Sequence, residues 1–175
     1  MRLIRQGLAT DQAVGAGIFQ SYYLALLAET YKKVGQVDEG LSVLEEALAV
    51  IDTTDERFYG AELYRLKGEL RLHKSRVGIA HQEGTVAEAG TVGGAHPTAE
   101  ADAEACFHKA IEVAQRQQAK SLELRATTSL ARLWLQQGKR SEAHKLLSEI
   151  YNWFTEGFDT KDLQEAKALL EELAT

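Results

Sequence analysis

The sequence predicts an all-α chain of stacked helical hairpins, and three observations predict it. The composition favours helix and contains a single proline, apolar residues are spaced to share one helical face, and the same residue types return after forty positions. Ala, Leu, Glu, Gln, Lys and Arg dominate the stretches on either side of Pro97. In residues 21–34, Tyr23, Leu24, Leu27, Tyr31 and Val34 fall on one face of a helix, and Leu41, Leu44, Leu48 and Ile51 do so after Gly35. The connecting Gly35-Gln36-Val37-Asp38 reads as the turn of a helical hairpin, with Asp38 expected to cap the second helix.

The hairpin recurs. Ile4, Gly7 and Leu8 return as Leu44, Ala47 and Leu48, Ala28 as Gly68, Phe107 as Leu147 and Ile111 as Tyr151, each forty positions on. From the first hairpin to the last the shift is 103: Gly35 becomes Gly138, Asp38 becomes Ser141, Leu44 becomes Leu147 and Tyr31 becomes Trp134. That shift exceeds two periods by about 23 residues, which places an insertion in the middle repeat. Residues 75–98 suit it, holding five glycines, the only proline and no large aromatic side chain. A flexible excursion is expected there, because the segment offers little to bury.

The resulting layout is a half repeat over 1–16, a hairpin over 17–52, and an interrupted hairpin over 56–74 and 99–116. A third hairpin over 119–137 and 141–155 follows, then a last helix over 161–173 capped by Asp159 or Thr160. The helix at the N-terminus has no encoded partner for Leu3, Ile4 and Leu8, so self-association through that end is expected.

At 175 residues, 45% apolar and 26% charged, the chain has the composition of one folded domain or a short solenoid. Twenty basic against 26 acidic residues leave a net charge of -6, which disfavours a general nucleic-acid binder. A lone cysteine, Cys106, excludes an internal disulfide and suits a cytoplasmic location. Neither the N-terminal stretch nor any later run has the apolar length of a signal peptide or a membrane span.

In the first hairpin, Leu24, Leu27, Ala28, Tyr31, Gly35, Gly40, Leu44 and Ala47 resemble the tetratricopeptide repeat pattern of large, Leu, small, aromatic, Gly, small, large, small. The middle repeat matches at Tyr64, Gly68, Ala103, Phe107 and Ala110, with Lys67 and Arg71 departing from it. The third matches at Leu130, Ala131, Trp134, Gly138, Ala143 and Leu147, with Ile150 in place of the final small residue. The resemblance implies one domain over 1–175, a right-handed α–α superhelix of about seven helices. Residues 103–134 and 151–173 also resemble the C-terminal repeat region of bacterial ATPase-containing adenylate or guanylate cyclases and related regulators, without their catalytic domains.

The resemblance further implies a concave face that holds an extended peptide, formed by fixed positions on the first helix of each repeat. Carried to this chain, those positions are Tyr22, Glu62 and Arg125; Ala25, Arg65 and Thr128; Glu29, Glu69 and Arg132; and Lys32, Leu72 and Leu135. Arg65, Arg125 and Arg132 have the paired donors to hold a carboxylate, or they are satisfied internally by Glu29, Glu62 and Glu69. Internal pairing is the stronger expectation.

No motif calls for catalysis, a metal or a cofactor. Cys106 and His108 are two apart on a helix and diverge, and Gly93-Gly94 lacks the Gly-Lys-Ser/Thr ending of a phosphate loop. Glu45-Glu46 and Glu171-Glu172 read as solvated charge. The chain is therefore expected to be a non-enzymatic protein–protein interaction or scaffolding module in bacterial signalling or regulation. The alternative is a small-effector-sensing regulatory domain of a cyclase or ATPase-type regulator.

Overall fold

A computed structural model of the chain describes residues 6–7, 19–54, 57–83 and 97–175. Its helices are α1 (Gln20–Lys33), α2 (Val37–Thr54), α3 (Gly60–Glu83), α4 (Pro97–Arg116), α5 (Lys120–Gln136), α6 (Arg140–Tyr151) and α7 (Lys161–Ala174). A 3₁₀ turn over Arg57–Tyr59 leads into α3, and Gln6 and Gly7 are helical. No strand occurs among the described residues, so the fold is all-α, as the composition and periodicity predicted.

The helices pack in chain order, each against the next. The odd-numbered helices also touch one another, α1 with α3, α3 with α5 and α5 with α7. No comparable contact joins α2 to α4 or α4 to α6 among the described residues. Such asymmetry draws the stack together on the odd-numbered side and makes that row its inner wall.

Each helix is held by the spacing visible in the sequence. Leu24, Leu27, Ala28 and Tyr31 on α1 are buried against Val43, Leu44 and Ala47 of α2 and Leu63, Leu66 and Leu70 of α3. Phe107 and Ala110 of α4 join Leu72 of α3 and Ala126, Leu130 and Leu133 of α5. Leu124 and Ala131 of α5 join Ala143 and Leu147 of α6 and Leu163, Ala166 and Leu169 of α7. Trp134 borders both of the last two clusters, so the core of the middle hairpin continues into that of the last.

Small residues permit the close crossings. A Cβ added to Gly68 would come within 2.6 Å of the buried Phe107 ring, so α3 and α4 approach at a distance only glycine allows. Where the repeat departs from its pattern, other contacts substitute. Arg71 pairs with Asp102 at 3.5 Å, and Ile150 is buried in the last core cluster.

The inter-helix turns repeat to the level of single hydrogen bonds. Gly35 and Gly138 both have φ of 76°. The amide that follows each donates back to an aromatic residue's carbonyl, Gln36 to Tyr31 at 3.0 Å and Lys139 to Trp134 at 2.9 Å. The turn between α4 and α5 uses the same wiring, Ala119 to Ala114 at 2.9 Å, with Gln118 at φ 53°.

Several local expectations need correction. Helix α3 continues beyond Lys74 to Glu83 and α4 starts at Pro97, so the helices claim 75–83 and 97–98 of the expected excursion. Residues 84–96 lie outside the described residues. Pro97 fits as a first helical residue, where its missing N–H costs nothing. Asp38 is not a cap: α2 starts one residue earlier at the buried Val37, and the Asp38 carboxylate instead meets Lys74 at 2.7 Å. Thr160 does stand at the N-cap of α7, but its hydroxyl donates to the Gly157 carbonyl at 2.7 Å.

Tyr23 on α1 and Val34 just beyond its end are exposed rather than part of the buried face. Of the final aromatic pair, Phe154 packs on the α5–α7 core while Trp153 is exposed, with the Lys120 ammonium 5.7 Å from its ring. The N-terminal side chains expected to drive self-association, Leu3, Ile4 and Leu8, lie outside the described residues.

Candidate functional site

Helix α3 carries Glu62, Arg65 and Glu69 three and four residues apart, which aligns them on one stripe. The stripe lies between α1 and α5 and is tied to both. Lys32 of α1 pairs with Glu69. From α5, Arg125 Nη2 lies 2.9 Å from Glu62 Oε1, and Ser129 Oγ donates to Glu69 Oε1 at 2.9 Å. Arg65 sits between the two carboxylates: its Nε donates to Glu62 Oε2 at 2.7 Å, its Nη2 to Glu62 Oε1, and its Nη1 to Glu69.

This cluster forms the floor of the site. Glu62 is only 2% exposed and Arg65 7%, so each depends on its partners for the solvation that water no longer supplies. Burial alone would lower the Arg65 pKa, but the hydrogen bond and charge of Glu62, followed by the charges of Glu69 and Glu29, outweigh it and raise the value. Burial would likewise raise Glu69, yet Arg65, Lys32 and the Ser129 hydrogen bond hold its carboxyl below the ordinary 4.5. The floor is thus charged and internally satisfied.

Above it lies a more open rim. Glu29 pairs with Lys33 at 3.0 Å on α1, and Arg132 Nη2 of α5 donates to Glu165 Oε2 of α7 at 2.8 Å. Lys161 stands 3.5 Å from the same Glu165, and Arg125 Nε 3.8 Å from Asp162. The Arg132 hydrogen bond is the main reason that the Glu165 pKa is lowered, despite some burial. Burial raises the Glu29 carboxyl, and Lys33, Arg125 and Arg65 more than offset it.

Floor and rim enclose a cavity of about 280 Å³ contributed by α1, α3, α5 and α7. It adjoins two more. One of about 460 Å³ is lined by Leu135, Gln136, Ala168 and Leu169, and one of about 210 Å³ by Leu72, His73, Arg76 and Phe107. Arg132 borders all three, so they form a single groove along the odd-numbered helices.

The structure brings most of the expected concave face together. Glu29, Lys32, Arg65, Glu69, Arg125, Thr128 and Arg132 line the first cavity, and Glu62 lies beneath it. Leu72 and Leu135 line the adjoining parts, whereas Ala25 is buried. Tyr22 is the exception: it is not among the lining residues but packs edge-on against Tyr59, with centroids 5.1 Å apart, and against Tyr23. The Thr128 hydroxyl is committed to the Leu124 carbonyl at 2.8 Å as a donor, so toward a ligand it offers only acceptor lone pairs.

Sequence reasoning missed Lys33, Ser129, Lys161, Asp162 and Glu165. The α7 residues carried a usable signal, because Lys161, Asp162, Glu165, Ala168 and Leu169 fall on one stripe of that helix, but α7 lies outside the three hairpins whose fixed positions define the expected face. Away from the groove, Cys106 is buried, and burial raises its thiol pKa despite the nearby Arg71. No cluster of three or more His, Cys, Asp or Glu side chains is placed to hold a metal ion among the described residues. Nor is any described helix long and apolar enough to cross a membrane. Compared with family models, curated proteins and solved structures, the chain matches none.

Proposed function

We propose that the chain is a non-enzymatic interaction module of the tetratricopeptide type, a right-handed superhelix that holds a protein or peptide in the groove of its odd-numbered helices. The observation that carries this reading is the continuity of that groove: three adjoining cavities run along one wall and share Arg132. An elongated trough on a rigid stack suits an extended chain better than a compact metabolite. The net charge of -6 favours a protein partner over nucleic acid, and the sequence resemblance to cyclase-associated repeats supports a role in bacterial cytoplasmic signalling or regulation.

A second reading has its own support. The first cavity is polar, formed by four helices, and near the lower end of the ~300–1,000 Å³ range of small-molecule sites. A small effector seated there would bridge α1, α3, α5 and α7 and alter how they stack, as expected of a sensing domain in a cyclase or ATPase-type regulator.

Photo-crosslinking separates the two. A benzophenone side chain at Ala168, exposed in the groove, is compared with one at Ala105, exposed on the outer row, in lysate of the source cell. The proposal expects a protein adduct from Ala168 only, abolished by neutralising Arg132 and Lys161. Equal labelling at both positions contradicts it. A small molecule that co-purifies with the chain and is lost from the same neutralised variant favours the effector reading.

A further inference from the structure

We infer that the groove takes a peptide segment bearing an acidic side chain and a large apolar side chain two to three residues apart; this rests on the interaction-module reading above. Charge accounts for the acidic side chain. Six cationic side chains and four carboxylates line the central cavity, with the Glu62 carboxylate directly beneath, a local excess of one positive charge in a protein whose net charge is -6. The floor arginine is saturated by Glu62 and Glu69, so the capacity to take a further anion lies on the solvent-exposed rim. Arg132 gives one guanidinium nitrogen to Glu165 and its side chain is 46% exposed, while Lys161 is 87% exposed. A guanidinium has five N–H donors, so Arg132 retains capacity for a second carboxylate at low cost in desolvation.

The neighbouring cavity accounts for the apolar side chain. Toward the C-terminal ends of α5 and α7 the 460 Å³ cavity presents Leu135, Ala168 and Leu169 alongside Gln136, Glu172 and the Arg132–Glu165 pair. A bare anion makes no use of those three apolar side chains. A chain that places a carboxylate on the rim and an apolar side chain in the trough uses both.

The spacing follows from helix geometry. From Glu165 to Leu169 is about 6 Å along α7 and from Lys161 to Ala168 about 10 Å, at 1.5 Å per residue. An extended peptide advances about 3.3 Å per residue, so two to three residues span the distance.

Selection of a displayed library of short random peptides on the full chain tests this. Three proteins are compared: the wild type, the Arg132→Gln/Lys161→Gln double variant, and Ala168→Trp, which fills the trough; unchanged thermal melting certifies the fold of each variant. The expected result is enrichment of peptides with Asp or Glu two to three positions from Leu, Ile, Met or Phe. Their affinity should fall by roughly tenfold or more in the double variant, with a comparable loss in Ala168→Trp. Peptides blocked by Ala168→Trp but showing no acidic preference and no loss in the double variant overturn the inference and leave the interaction-module reading standing. Peptides indifferent to all these substitutions, or no enrichment at all, overturn both.

Discussion

The floor and the rim of the groove use the same chemistry, arginine and lysine against glutamate and aspartate, yet burial gives them opposite roles. On the floor, Glu62, Arg65 and Glu69 are withdrawn from water and linked to α1 through Lys32 and to α5 through Arg125 and Ser129. Removing one member there strands another in a medium that cannot solvate it. On the rim, Arg132, Glu165 and Lys161 stay in contact with water, so their pairing adds little to stability and is readily exchanged for a ligand. An ion pair's place relative to solvent, rather than its presence, decides whether it holds the fold or recognises a partner.

The largest effect that would break this comparison lies at Glu62. Glu62→Ala leaves Arg65 without its bidentate acceptor and Arg125 without its closest one. Urea denaturation should show a loss of about 3–5 kcal/mol; a loss below about 1 kcal/mol would mean that the floor is not structural.

Acid sharpens the same contrast. The folded-state pKa of Glu69 lies below its ordinary 4.5, so its charge contributes stability that is fully present above that pH and is lost as pH falls through the folded value. Wild type should therefore be more stable than Glu69→Gln at neutral pH, with the gap closing as pH falls below 4.5 and through the lowered folded-state value. The lowered carboxyls of Glu29 and Glu165 act in the same direction in both proteins and cancel from the difference. A gap that persists unchanged at low pH would show that the residue acts through packing, not charge.

The smallest effect belongs to the rim. Arg132→Ala should shift stability by less than about 1 kcal/mol, because its partner Glu165 remains solvated. A loss as large as that of Glu62→Ala would erase the distinction between the two layers.

Much of this was legible in the sequence, and the reasons differ by residue. The paired turns at Gly35 and Gly138 were visible because a left-handed position ending a helix selects glycine. The equivalent turn at Gln118 carries no such mark, because a glutamine bears the strain of positive φ there. The close crossing of α3 and α4 showed itself as Gly68 opposite Phe107, since steric exclusion leaves a signature in side-chain size. The continuation of α3 to Glu83 was hidden by Gly78 and Gly84 and by the lack of any apolar stripe after Lys74.

The site divides in the same way. The α3 stripe and its neighbours on α1 and α5 followed from fixed positions in each hairpin, but Tyr22 did not, because the 3₁₀ turn before α3 presents Tyr59 for it to pack against. That turn breaks the periodicity that defines the expected face. Lys161 and Glu165 were missed because α7 stands outside a complete hairpin, yet its N-terminal half closes one end of the groove.

A double-mutant cycle between Glu62 and Arg125, read by urea denaturation, probes the account most directly, because these residues stand on successive odd-numbered helices and 63 positions apart in sequence. Stacked hairpins with a shared ionic floor require the pair to be coupled by about 1 kcal/mol or more. If the two losses instead add to within about 0.5 kcal/mol, α3 and α5 do not meet as described, and the groove built on their contact falls with it.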